Sequence, residues 1–194
     1  MHFLTDFADL AVVLPLTLAV AVALLLAGWP RGAAAWAMAV PGTFAAVLAA
    51  KLVVVACGSL LPLHGLRSPS GHTASAAVAY GGLLTLLLPE PLAGSRRRLV
   101  AVVLAGLFAV LFGGTRLALH YHTRSDVLAG AVLGMAGAYV LALAAGPRPQ
   151  QLRVAIPLAT ALAVLVLFHG EHLRAENQID RVSRLVWPLT LCCR

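Results

Sequence analysis

Two short polar stretches carry most of the groups in this chain that can do chemistry: "LRSPSGHTAS" at residues 66–75 and "GTRLALHYHTRSD" at residues 114–126. In the first, Ser70, Gly71 and His72 stand just ahead of an apolar run that starts at Thr73. A helix beginning there turns its unpaired backbone N–H groups toward the loop, and such a helix start binds anions. Gly71 lets an oxyanion approach the backbone, the Ser70 hydroxyl can donate to it, and His72 adds a titratable ring. In the second stretch, His122 and Asp126 are four residues apart. On a helix they share a face, and a carboxylate that accepts from one imidazole nitrogen makes the other a better nucleophile. Arg116, six residues before His122, carries the planar fork that suits phosphate best. The bland alternatives are a Ser/Pro helix start with an interfacial histidine, and an arginine and histidine that snorkel at a membrane boundary. The presence of both stretches in one chain favours a phosphate site.

What positions them follows from composition. Of 194 residues, 61% are hydrophobic and only 11% charged, with a mean hydropathy of +0.93. These values place the chain outside the soluble class and make it an integral membrane protein. Six apolar runs, at about 8–27, 33–56, 73–90, 99–115, 127–146 and 152–168, approach or exceed the roughly 20 helical residues that cross a hydrocarbon core. They are apolar on every face, unlike the alternating segments of a transmembrane barrel, and rich in the small residues that let helices pack closely in lipid. The expected fold is therefore all-α, a polytopic six-helix transmembrane bundle forming a single domain over residues 1–194. The first run is flanked by Asp6 and Asp9 rather than a basic region, so it reads as a retained span and not a signal peptide. Pro15, Pro41 and Pro157 fall inside expected spans, where they can kink a helix.

Orientation follows from the remaining basic residues. Arg31, the run Arg96, Arg97 and Arg98, and the pair Arg148 and Arg153 all lie in connections that a six-span chain places on one face. The positive-inside rule makes that face cytoplasmic. Both polar stretches and both termini then lie on the opposite side. The net charge of +7 is explained by these arginines and by the cations of the two stretches, so no nucleic-acid partner is called for. Cys57 reads as a small buried hydrophobe, and the adjacent Cys192 and Cys193 do not make a disulfide framework. From 170 to 194 the apolar and charged residues recur near helical spacing, as in an amphipathic helix lying at the membrane surface; a frayed tail is the competing reading.

Pro69-Ser70-Gly71-His72 and Thr115-Arg116-x5-His122-x3-Asp126 resemble the second and third signature motifs of the type 2 phosphatidic acid phosphatase superfamily. Thr115 stands where that third motif usually has serine. The first motif, Lys-x6-Arg-Pro, is met only by Lys51, because Gly58 and Ser59 occupy the Arg-Pro positions. Lys51 could alternatively be a snorkelling residue, though a charge deep in an apolar run costs about 2.5–3.5 kcal/mol on insertion scales unless compensated. Arg67 is the candidate to replace the missing arginine. The resemblance implies that His122 attacks phosphorus, that Asp126 orients it, and that His72 serves as acid and then base. Lys51, Arg116, Ser70, Gly71 and Arg67 would hold the phosphate, with no metal and no cofactor. It also implies a lipid phosphate or polyprenyl diphosphate substrate in the bilayer, and a bacterial inner membrane with the site on the extracytoplasmic side. A phosphotransferase using the same histidine, or a non-catalytic lipid-binding or transport protein of this fold, are the alternatives. "HGEH" at 169–172 lacks metalloprotease spacing.

Overall fold

The computed structural model describes residues 2–57, 65–88 and 94–173. Gly58, Ser59 and the stretch from 174 to 194, including Cys192 and Cys193, lie outside the described residues, so the expectations placed on them are not addressed by the structure. Within the described residues the elements are helical: α1 (His2–Asp6), α2 (Leu10–Leu26), α3 (Pro30–Cys57), α4 (Gly71–Ala76), α5 (Gly82–Leu87), α6 (Ser95–Ala118), α7 (Arg124–Ala144) and α8 (Ala155–Phe168). A π-helical segment, Ala77–Gly81, links α4 to α5 without a break.

The expected runs correspond to α2, α3, α4 with α5, α6, α7 and α8, while α1 is an additional short helix. Three helical segments, Pro30–Val54, Ser95–Ala118 and Arg124–Ala144, are long and apolar enough to cross a membrane by length and composition. Leu10–Leu26 and Ala155–Phe168 are apolar but shorter. Pro15 and Pro41 sit inside α2 and α3. Pro157 lies in the first turn of α8, where a missing N–H breaks no helical bond.

Fully buried Trp36 anchors the largest cluster together with Leu16, Leu24, Leu86 and Leu141. Its indole N–H donates to the Thr17 carbonyl at 2.9 Å, which satisfies the one polar atom such a residue brings into a core. Where α6 and α7 meet the π segment the contact is made by Ala77, Ala101, Ala105, Ala109, Ala138 and Ala142, the small side chains that allow close backbone approach. Tyr80, in the π segment, donates its hydroxyl to the Phe7 carbonyl and so ties this helix to the chain just ahead of α2.

At the end of the bundle where α5 and α7 finish, arginines meet carbonyls. Arg31 Nε donates to the Ala144 carbonyl at 2.9 Å, Arg148 donates to the Leu87 carbonyl at 2.7 Å, and Arg97 donates to the Gly146 carbonyl. Arg97 is 9% exposed, with its guanidinium 5.6 Å from the Trp29 ring centroid. Of the three consecutive arginines, then, the middle one is built into the fold, while Arg96 remains exposed.

Candidate active site

The second polar stretch is a helix-to-helix turn. After α6 ends at Ala118, His120 takes a positive φ of 57° and the chain reverses before Thr123 caps α7. Thr123 and Asp126 form a capping box: Asp126 N–H donates to Thr123 Oγ1 at 3.2 Å, and Thr123 N–H donates to Asp126 Oδ2 at 2.9 Å. His122 therefore lies just ahead of the helix, correcting the expectation that it shares a helical face with Asp126. The two groups still approach each other, with His122 Nδ1 3.7 Å from Asp126 Oδ2 and both side chains buried. That separation is an electrostatic contact, longer than a hydrogen bond.

Asp126 joins the two stretches. Its Oδ1 accepts from the backbone N–H groups of Arg67 and Ser68, each at 2.8 Å, and its own carbonyl accepts from Ser70 N–H at 2.9 Å. Thr123 Oγ1 donates to the Gly65 carbonyl at 2.8 Å. One buried carboxylate thus holds the loop before α4 against the start of α7. A Cβ at Gly130 would collide with the Ser70 carbonyl, so glycine is what lets the loop seat so closely on α7.

α4 starts at Gly71 with Ser70 as its N-cap. Ser70 is fully buried, and its Oγ accepts from the Thr73 hydroxyl at 2.9 Å and from Thr73 N–H at 3.4 Å. Its acceptor capacity serves the cap, so its single hydroxyl proton is what it has left to donate. A Cβ built at Gly71 meets nothing within 4 Å; the space beside this helix start is open. Gly71 and His72 line a cavity of about 270 Å³ together with Lys51, Asp9 and Ser75, and with an apolar wall that includes Leu10, Phe44, Val47 and Leu48. Lys51 is 5% exposed, and α3 thus delivers a buried cation to the same cavity as the α4 start.

Arg116, in the last turn of α6 and 8% exposed, donates from Nη1 to Thr5 Oγ1 at 3.1 Å and lies 4.5 Å from the Tyr121 ring centroid. The Arg67 side chain is exposed; its backbone N–H is the part bound to Asp126. The structure therefore brings Lys51, Gly71 and His72 to one cavity. It ties His122, Asp126, Ser70 and the backbone of Arg67 into an adjoining network.

Asp9 is the site residue that sequence reading missed, having entered only as a flanking charge. It is 7% exposed, caps α2 by accepting from Ala11 N–H at 2.9 Å, and reaches within 3.8 Å of His72 Nε2. An aspartate directly before an apolar run is an N-cap signal, but no local signal ties it to His72. Of the "HGEH" histidines, His169 Nε2 lies 3.1 Å from the Phe3 carbonyl and its ring packs on Phe3 and Phe7. His172 lies 3.8 Å from Asp6 and 3.7 Å from Asp9. Among the described residues no three His, Cys, Asp or Glu side chains are gathered as a metal site.

The chain is 27% identical over 194 residues to a Klebsiella pneumoniae protein described as an uncharacterized 22.5 kDa protein in the cps region, covering 97% of this chain and 92% of that one. No solved structure matches. Residues 16–150 match the PAP2 superfamily, a stretch that contains Lys51, the α4 start and the capped turn before α7. The two polar stretches and the helices that hold them together are accordingly those of a member of the PAP2 superfamily.

Proposed function

We propose that this protein is an integral membrane lipid phosphatase, a six-span bundle that hydrolyses a phosphomonoester or diphosphate on a lipid head group through a phosphohistidine. The observation that carries this reading is the cavity where Lys51, Gly71 and His72 meet beside an apolar wall, adjoining the turn in which His122 faces Asp126. Membership of a phosphatase superfamily supports a phosphoester hydrolase, and the long apolar helices support a substrate presented by the bilayer.

In the first step the His122 ring attacks phosphorus, and the bond from phosphorus to the leaving oxygen breaks as that oxygen takes a proton from His72. In the second, water attacks phosphorus, His72 takes back a proton from it, and the bond to His122 breaks, releasing phosphate. Lys51, Arg116, the Gly71 N–H and the Ser70 hydroxyl stabilise the charge that builds on the equatorial oxygens, and Arg67 adds to it. The side bearing the site is assigned as extracytoplasmic, because the opposite end carries Arg31, Arg96, Arg97, Arg98, Arg148 and Arg153.

The test is release of inorganic phosphate from phosphatidate, phosphatidylglycerophosphate and polyprenyl diphosphate by the purified protein in detergent. The expected result is turnover that His122→Ala reduces to background and that excess EDTA leaves in place. Activity of His122→Ala within tenfold of wild type removes the nucleophile assignment. Label appearing on an acceptor lipid, without free phosphate, makes the protein a phosphotransferase.

A further inference from the structure

We propose that Asp9 is the positioning residue of His72, so that the site contains two carboxylate–imidazole pairs, one for each of its two working histidines. The inference rests on the phosphohistidine reading above for what His72 does, but the pairing itself stands on geometry. Asp9 Oδ1 accepts from two backbone groups, Ala11 N–H at 2.9 Å and Leu173 N–H at 3.0 Å. These bonds fix the carboxylate plane and turn Oδ2 toward His72 Nε2 at 3.8 Å and His172 Nδ1 at 3.7 Å. The arrangement repeats the one at Asp126, where two backbone N–H groups hold Oδ1 and Oδ2 faces His122 at 3.7 Å. Asp9 and His72 both line the cavity that Lys51 enters from α3.

A carboxylate at this range favours the protonated ring and limits its rotation. Catalytic contacts of this length commonly tighten once substrate is bound. His72 needs both effects: it must arrive protonated to give its proton to the leaving oxygen, and it must become protonated again when it takes one from the attacking water. The charged and titratable groups that share the cavity with His72 or meet its carboxylate are Lys51 on α3, Asp9 itself, and His172, which also approaches Asp6. Lys51, in the same cavity, opposes protonation of the ring; Asp9 is the carboxylate placed to offset it.

A purely structural role as the α2 cap is the competing account, and Asp9→Asn separates the two. Asparagine keeps an oxygen for the Ala11 and Leu173 amides and is itself a good N-cap, while the charge is lost. In the full chain in detergent, the imidazole NMR titration of His72, assigned with His72→Ala, is expected to move about one pH unit lower in Asp9→Asn and to return in Asp9→Glu. Coincident wild-type and Asp9→Asn midpoints overturn the pairing.

Kinetics supply a second readout. Asp9→Asn should slow dioleoyl phosphatidate hydrolysis about tenfold or more, with the alkaline limb of kcat/KM moving to lower pH. It should lower kcat/KM for p-nitrophenyl phosphate, whose leaving group departs without a proton, by less than about threefold. Equal losses of kcat/KM on both substrates, a quantity that reports only the step that expels the leaving group, assign Asp9 to capping alone and overturn the proposal. Full phosphate release by His122→Ala, with the His72 midpoint still dependent on Asp9, would sink the phosphohistidine reading and leave the pairing standing.

Discussion

Arg97 and Arg116 are buried to almost the same degree, 9% and 8% exposed, at opposite ends of one helix, α6. Arg97 donates to the Gly146 carbonyl just beyond α7, and Arg31 and Arg148 likewise meet the last carbonyls of α7 and α5. These are acceptors that the ends of α5 and α7 leave without a helical N–H partner. Arg116 instead donates to the Thr5 hydroxyl and lies over the Tyr121 ring, at the end where Asp9, Ser70 and Thr123 cap the starts of α2, α4 and α7. Burial alone therefore does not tell the two arginines apart. Their partners differ: backbone carbonyls fix Arg97 where α5 and α7 finish, whereas Arg116 meets a side-chain hydroxyl and a ring at the end where the capped helix starts gather, which is where the proposed function would use it.

The sharpest test of this contrast is Asp126→Ala, which leaves the Arg67, Ser68 and Thr123 N–H groups without their acceptor. It should cost about 3–5 kcal/mol of stability and bring turnover to background. Thermal unfolding in detergent that stays within a few degrees of wild type would show that Asp126 does not hold the stretches together. Next, Arg116→Ala should lower kcat/KM about 100-fold, the scale of a charge-assisted hydrogen bond or two, with a small change in Tm. Arg97→Ala should behave oppositely, losing about 2 kcal/mol of stability while kcat/KM per folded molecule stays within about twofold. If the two arginines respond alike, the distinction between the ends fails. The smallest effect is expected for Arg67→Ala, about tenfold in catalytic efficiency; unchanged kinetics would leave Lys51 and Arg116 as the phosphate-binding cations.

Much of the helical layout was legible because apolar runs in a membrane chain have few alternative readings. The run expected at 33–56 is α3, Pro30–Cys57, and that at 127–146 is α7, Arg124–Ala144. Thr123-x-x-Asp126 also carried its own signal as a capping box, but reading His122 and Asp126 as a helical pair obscured it. Thr123 ends the helix before His122 can join it. The pairing of Asp9 with His72 was not legible at all, since it spans 63 positions and depends on how α2 packs beside α4. Nor did the pattern distinguish the π segment from ordinary helix, because Ala77–Gly81 is as apolar as its neighbours.

That π segment makes the two halves of its helix independent in phase. Each residue of an α-helix turns the chain by about 100°, so a regular helix over the same residues would fix the direction of every side chain in α5 from the direction of His72. The wider turn at Ala77–Gly81 takes up one residue locally. His72 can then face its cavity while Leu86, past the bulge, faces the Trp36 cluster. A chain shortened by one residue within 77–81 should recover a regular helix and keep both of those directions, losing mainly the reach of Tyr80 to the Phe7 carbonyl.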